Sequence, residues 1–291
     1  MVACKLLTLR AIDADAIEPV SQRLDHTHRS AGTDEWPELR MGVKNQCGGK
    51  YQSPIDIKTH ETTYNVSLGL LRYSNYDKNL QNAYVLNNGH TVMVSPKGNS
   101  SATVTGRGLP GVYSFNQFHF HWGADDTVGT EHHIDGEAHA MEMHLVHTNK
   151  KYATAEEAYR HSDGLLVIGV LFAVSRQDNR ALNSVVHSLD FMLKQHINRA
   201  KLSKAISLAD LLPGNPRQAY FYRGSLTTPP CAEAVTWLKA FRQLEVESAV
   251  KGDYEPLVNN FRPTMPLHGR HVSRNFLIIP QYSKGEVKAN Q

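Results

Sequence analysis

The segment Tyr113-Ser-Phe-Asn-Gln-Phe-His-Phe-His-Trp122 carries the densest chemistry in a chain of 291 residues that includes 16 histidines. Histidine is the side chain best suited to metal binding and to proton traffic near neutral pH. Alternate residues of a strand share a face, so Phe115, Gln117, His119 and His121 fall on one side and Phe118, Phe120 and Trp122 on the other. A second strand is expected over Ala140-Met-Glu-Met-His-Leu-Val146, with Glu142, His144 and Val146 on one face and Met141, Met143 and Leu145 on the other. Where the two strands are neighbours, His144 meets His119 and His121. Three neutral imidazoles with a fourth position left to water describe a catalytic rather than a structural zinc site (Zn2+). Gln117 and Glu142 stand on the same faces to take the free ring N–H groups. A lone strand histidine is more often satisfied by backbone or water, and it is the joint pattern that points to metal. His147 falls on the Leu145 face, and His132, His133 and His139 lie in or beside the turn-rich stretch from Gly129 to Glu137, so these four are read as ordinary.

The elements that must hold these residues are mostly strands, from Trp36 to about Phe276. Asn88-Gly89 stands between alternating apolar runs from Ala83 to Val94, which is a hairpin signal. One helix interrupts the strands: Asp178 is its expected cap, and Leu182, Val185, Val186, Leu189, Leu193 and Ile197 recur at helical spacing. A shorter helix is expected from Thr154 to His161. Residues 1 to about 35 are polar without a sustained period and are read as a flexible extension, and 277 to 291 as a polar tail. The domain between them shows no internal repeat and no linker.

Composition excludes several classes. Lys+Arg 31 against Asp+Glu 28 leaves a net charge of +3 with no long basic run, which argues against nucleic acid as a partner. The longest apolar stretch, Leu165 to Val174, is about half of the roughly 20 residues a membrane-spanning helix needs, so it reads as a buried strand and no membrane span is expected. Cys4, Cys47 and Cys231 form no CxxC pair and allow at most one bridge; three free thiols and one bridge both stay open. Asn65-Val66-Ser67 and Asn99-Ser100-Ser101 are glycosylation sequons that would suit a secreted protein.

Four motifs, Gln117-Phe-His-Phe-His-Trp-Gly123, Met141-Glu-Met-His-Leu-Val-His147, Gln52-Ser-Pro-Ile-Asp-Ile57 and Gly224-Ser-Leu-Thr-Thr-Pro-Pro230, together resemble the alpha-class carbonic anhydrases over residues 36–276. The resemblance implies a mainly β single domain around a large twisted, mainly antiparallel central sheet. It implies zinc at the bottom of a conical cavity on His119, His121 and His144, and reversible hydration of carbon dioxide to bicarbonate and a proton by a zinc-bound hydroxide. Carried over by motif, Glu131 is the family's buried carboxylate, Thr227 its gatekeeper hydroxyl and His90 its proton shuttle. Val146, Val167, Leu226, Val235 and Trp237 would line the substrate pocket with Thr227 and Thr228. The resemblance also implies inhibition by sulfonamides and anions, a monomer or weak dimer, and a disulfide between Cys47 and Cys231. Such a bridge suits an extracellular or secreted protein, although no clean signal peptide can be drawn at the amino terminus and a cytoplasmic setting is the alternative. Two departures touch proton transfer: the family's usual Trp and Tyr ahead of the domain are missing, and Met93 holds a rim position that is commonly Asn or Gln. A non-catalytic carbonic-anhydrase-like binding module is the rival reading.

Overall fold

A computed structural model describes residues 33–176, 179–240, 244–247 and 257–278, with the backbone alone over 244–247. Most of the amino-terminal extension, the Asp178 cap and the tail beyond Ile278 lie outside the described residues. The strands are β1 Asp56–Ile57, β2 Thr63–Tyr64, β3 Arg72–Ser74, β4 Ala83–Asn87, β5 Val92–Pro96, β6 Thr103–Thr105, β7 Tyr113–Trp122, β8 His133–Ile134 and β9 Met141–Asn149. They continue as β10 Leu165–Ser175, β11 Arg199–Lys201, β12 Ala219–Gly224, β13 Val235–Ala240, β14 Leu244–Glu247 and β15 Ser273–Arg274. The α-helices are α1 Ala155–Ala158 and α2 Asn183–Gln195.

Thirteen strands form one mixed sheet in the order β11-β4-β5-β7-β9-β10-β13-β12-β15-β2, with β14 on β10, and β6 bridging β3 to β7. Most pairings are antiparallel, but β10 runs parallel to β13 and β14, and β15 to β2. The long strands β7, β9 and β10 occupy the centre. Every residue of β9 except Thr148 is buried, because both faces of the sheet are covered there.

One face packs Phe118, Phe120, Trp122, Met141, Met143 and Leu145 into an apolar cluster with α2. Each such side chain taken fully out of water contributes about 1.5–3 kcal/mol. Helix α2 presents Val185, Val186, Leu189 and Met192 to this core. Its approach is started by Asn179, whose Oδ1 accepts from the Ala181 N–H at the head of a 3-10 turn, Arg180–Leu182. The helix stops at His196, where the backbone turns left-handed (φ 55), so Ile197 lies past its end and is exposed rather than part of the apolar stripe.

Two local expectations are corrected. The short helix is one turn, Ala155–Ala158, capped by the Thr154 hydroxyl accepting from Glu157 N–H. The hairpin expected at Asn88-Gly89 is present, with β4 and β5 joined by a four-residue loop, 88–91: Asn88 N–H bonds Thr91 O, while Asn88 Oδ1 accepts from the His90 and Thr91 N–H groups. A bulge between Phe115 and Gln117 breaks the alternation of β7, and Phe115 joins the apolar core with Phe118 instead of sharing the Gln117 face.

Candidate metal centre

Strands β7 and β9 pair so that His119 stands directly opposite His144 and His121 opposite Glu142. The period-two pattern then turns all three imidazoles to one face. Their ring centroids are 5.1 Å (His119–His121), 5.2 Å (His119–His144) and 4.5 Å (His121–His144) apart, and one ligand nitrogen from each lies within 4.8 Å of the others.

The outer nitrogen of each ring faces an acceptor. His119 Nδ1 is 2.9 Å from Gln117 Oε1, His121 Nδ1 is 2.8 Å from the Asn260 carbonyl, and His144 Nε2 is 3.0 Å from Glu142 Oε1. An acceptor requires a proton on the nitrogen it faces, and this assigns the tautomer. His119 Nε2, His121 Nε2 and His144 Nδ1 are therefore lone pairs, and they point at one another. Burial pushes all three imidazoles toward the neutral form, His144 to about 3, with the neighbouring His121 adding to the effect there. His121 Nε2 and His144 Nδ1 approach to 3.1 Å, two acceptors face to face with no proton between them. A cation relieves that arrangement, so the donor set fits a metal ion, and three imidazoles suit zinc.

Glu131 lies alongside. Its Oε1 accepts from the Arg262 N–H at 2.9 Å. Its Oε2 is buried, has no hydrogen-bond partner, and sits 3.5 Å from His121 Nε2 and 3.7 Å from His144 Nδ1. Burial, reinforced by the charge of Glu142, pushes this carboxyl well up, against the Arg262 N–H and the nearby Thr227 hydroxyl. Positive charge among the histidines acts the other way and favours the carboxylate. Thr227 is 5% exposed, whereas Thr228 is exposed and its carbonyl accepts from Cys231 N–H.

Cys231 is bonded to Cys47 across 184 residues. The bridge and the side chains around it fasten the Thr227 loop. Gln52 Nε2 donates to the carbonyls of Gln46 and Cys231, and Arg262 donates to Gln52 Oε1 and to the Cys47 and Ser53 carbonyls. Val146, Val167, Val235 and Trp237 fall in one buried apolar cluster with Leu226 packed against it. The Trp237 ring is 4.8 Å from that of His144, so this wall abuts the histidines.

His90 is exposed in the β4–β5 loop, and its carbonyl accepts from Asn260 Nδ2 at 2.8 Å. Asn260 thus joins the loop of His90 to His121; it also accepts from Trp122 N–H through Oδ1. Nothing in the local sequence singles Asn260 out, because it comes from a segment without regular structure 139 residues beyond His121. His132 is a correction: it is wholly buried, with Nδ1 2.8 Å from Glu142 Oε1 and Nε2 2.6 Å from the Tyr222 hydroxyl. Its adjacency to Glu131 was the available signal. His147 is also buried but on the far face, bonded to the Tyr76 hydroxyl and the Leu166 carbonyl. Of the two sequons, Asn99 is exposed, while Asn65 is half-buried and accepts from Ser67 N–H.

A group of three histidines that could hold a metal ion, on the central strands of a large mixed sheet, is the class of site defined here. Residues 31–276 match the family of eukaryotic-type carbonic anhydrases, and the chain belongs to that family. It is 38% identical over 259 residues to carbonic anhydrase 7 of Homo sapiens, covering 84% of this chain and 96% of that one. It is 35% identical over 254 residues to carbonic anhydrase 6 of Bos taurus (82% and 78%) and 34% identical over 268 residues to carbonic anhydrase 15 of Mus musculus (86% and 81%). Among the described residues no helix is long and apolar enough to cross a membrane.

Proposed function

We propose that the domain of residues 36–276 binds one zinc ion through His119 Nε2, His121 Nε2 and His144 Nδ1 and catalyses the reversible hydration of carbon dioxide to bicarbonate and a proton. The convergence of three lone pairs, each made by an acceptor on the outer nitrogen, carries this reading. Bound zinc supplies a Lewis acid that acidifies water, an effect for which carbonic anhydrases are themselves the standard example.

The chain's own residues do the rest. Gln117, Glu142 and the Asn260 carbonyl hold each ring so that its lone pair stays aimed inward. Ionised Glu131 can only accept, so the Thr227 hydroxyl donates its hydrogen bond to it, which leaves Thr227 Oγ1 as an acceptor toward the cavity. Whatever sits between Thr227 and the imidazoles must then present a proton to that oxygen. This orients a nucleophile and discriminates against anions without a proton. Val146, Val167, Leu226, Val235 and Trp237 offer an apolar surface beside the histidines, matched to an apolar gas. Thr228, exposed at the end of the same loop, extends the polar rim. His90 places an imidazole in solvent contact, where it can pass a proton to buffer. Sulfonamides and small anions should compete at the same position. The Cys47–Cys231 bridge supports an oxidising, extracellular setting; free thiols at both positions in protein made by a secretory route would contradict it.

Metal analysis combined with stopped-flow carbon dioxide hydration tests the reading. The protein should hold one zinc per chain and hydrate carbon dioxide. Thr227→Ala should keep its zinc and lose about 10²–10³-fold in rate, since only orientation is removed. A zinc-loaded protein without hydration activity would indicate a binding module instead.

A further inference from the structure

Lys239 on β13 is a charged side chain with 0% of its surface exposed, and no step of the proposed reaction uses it. The sheet register explains where its ammonium goes. Gly169 on β10 stands opposite His144 of β9 on one side and opposite Lys239 on the other. A Cβ at Gly169 would lie 2.8 Å from Glu142 Oε1 and 3.0 Å from Lys239 Nζ, so the missing side chain leaves the room in which the two meet. Nζ reaches Glu142 Oε1 at 2.6 Å. That oxygen also faces His144 Nε2 at 3.0 Å and His132 Nδ1 at 2.8 Å. Glu142 Oε2 accepts from the backbone N–H groups of Glu131 and His132, at 3.0 and 2.8 Å.

A lysine so placed either clamps the carboxylate or offsets its charge. Glu142 keeps four donors without Lys239, two of them backbone, so its position is already determined. What Lys239 adds is a full positive charge in a dry site, where water screens little. At 2.6 Å from Glu142 Oε1, the Lys239 ammonium opposes the carboxylate's charge at the same oxygen that faces His144 Nε2. A carboxylate bonded to the outer N–H of a metal-binding imidazole raises that imidazole's basicity. A cation on the same oxygen opposes the effect.

We infer that Lys239 is a positioning residue of the metal centre that acts through Glu142, offsetting its charge and so moderating how strongly His144 holds zinc. The inference rests on the zinc-binding reading of the three histidines.

The test compares wild type, Lys239→Met and the double variant Glu142→Gln/Lys239→Met. Zinc affinity is measured by competition with pyridine-2,6-dicarboxylate at neutral pH. One bound zinc in the wild type checks the underlying reading by itself. Lys239→Met should then hold zinc about tenfold tighter, because Glu142 acts on His144 at full charge. The double variant should stay within about threefold of wild type, since both charges leave together. Unchanged or weaker binding by Lys239→Met overturns the inference, and so does a loss of about 10–100-fold in the double variant, the cost of deleting an unopposed carboxylate. If Lys239→Met fails to fold, the double variant decides, as it leaves no charge buried alone. In metal-free protein, the His144 Nε2–H proton resonance should move downfield in Lys239→Met. A resonance that does not move shows that Lys239 has no influence on His144, whether or not zinc binds.

Discussion

Strands β7 and β9 carry two faces on one backbone, and the faces are held by different physics. The apolar face, with Phe118, Phe120, Trp122, Met141, Met143 and Leu145, is fixed by close packing against α2 and its neighbours. Contacts of this kind are many and non-directional, so volume matters more than identity. The histidine face is fixed by named atoms. Gln117, Asn260 and Glu142 each orient one ring, and Glu142 in turn is held by the backbone N–H groups of Glu131 and His132 and by the His132 ring. Losing one partner there leaves another buried group unsatisfied. The histidine face is therefore specified by chemistry and the core by shape, although they are two sides of the same strands.

Substitutions on either face should separate these two kinds of control. The largest effect is expected for His144→Ala, which leaves two protein ligands: zinc affinity should fall by about 10³-fold or more while the fold persists, as read by metal content and circular dichroism. Undiminished zinc in that variant would break the distinction outright. On the other face, Phe120→Ala should cost about 3–5 kcal/mol in chemical denaturation and leave zinc stoichiometry intact in the folded fraction. Loss of zinc ahead of stability would show that the faces are not separable.

His147 sharpens the contrast, being a histidine on the apolar face. Burial pushes it down to about 4; the neutral ring donates from Nδ1 to the Leu166 carbonyl and accepts from the Tyr76 hydroxyl at Nε2, and protonation would remove that acceptor. In the unfolded chain the same imidazole titrates near 6.5. Above that pH both states are neutral and His147 contributes no pH dependence. As the pH falls from about 6.5 toward 4, only the unfolded chain takes up the proton, so stability declines by about 3 kcal/mol from this residue alone. An NMR titration of His147 in the folded protein checks this; a midpoint near 6.5 would refute it.

The smallest effect is expected at the exposed edge. His90→Ala should lower maximal turnover in weak buffer by less than about tenfold, leave kcat/KM nearly unchanged, and be rescued by imidazole buffers, because attack on carbon dioxide precedes proton export. A parallel fall in kcat/KM would mean that the β4–β5 loop supports the site structurally through Asn260.

Alternation with period two is a local property, and it makes most of the histidine face legible in the sequence itself. His119, His121, Glu142 and His144 fall on a shared face, and so do Val235 and Trp237, because a strand has no freedom to turn alternate side chains anywhere else. The same rule extends two positions further to Lys239, but one strand cannot reveal which partner a buried ammonium will meet. Alternation also fails where the backbone departs from it: the bulge between Phe115 and Gln117 moves Phe115 to the core, and a bulge has no reliable local signature. Tertiary structure alone decided the order of strands. That order brings Asn260 to His121, Arg262 to Glu131, and Lys239 past Gly169 to Glu142. These partners lie about a hundred or more residues apart, and their meeting depends on the register of strands between them, a global balance of burial and pairing that no short stretch of sequence contains.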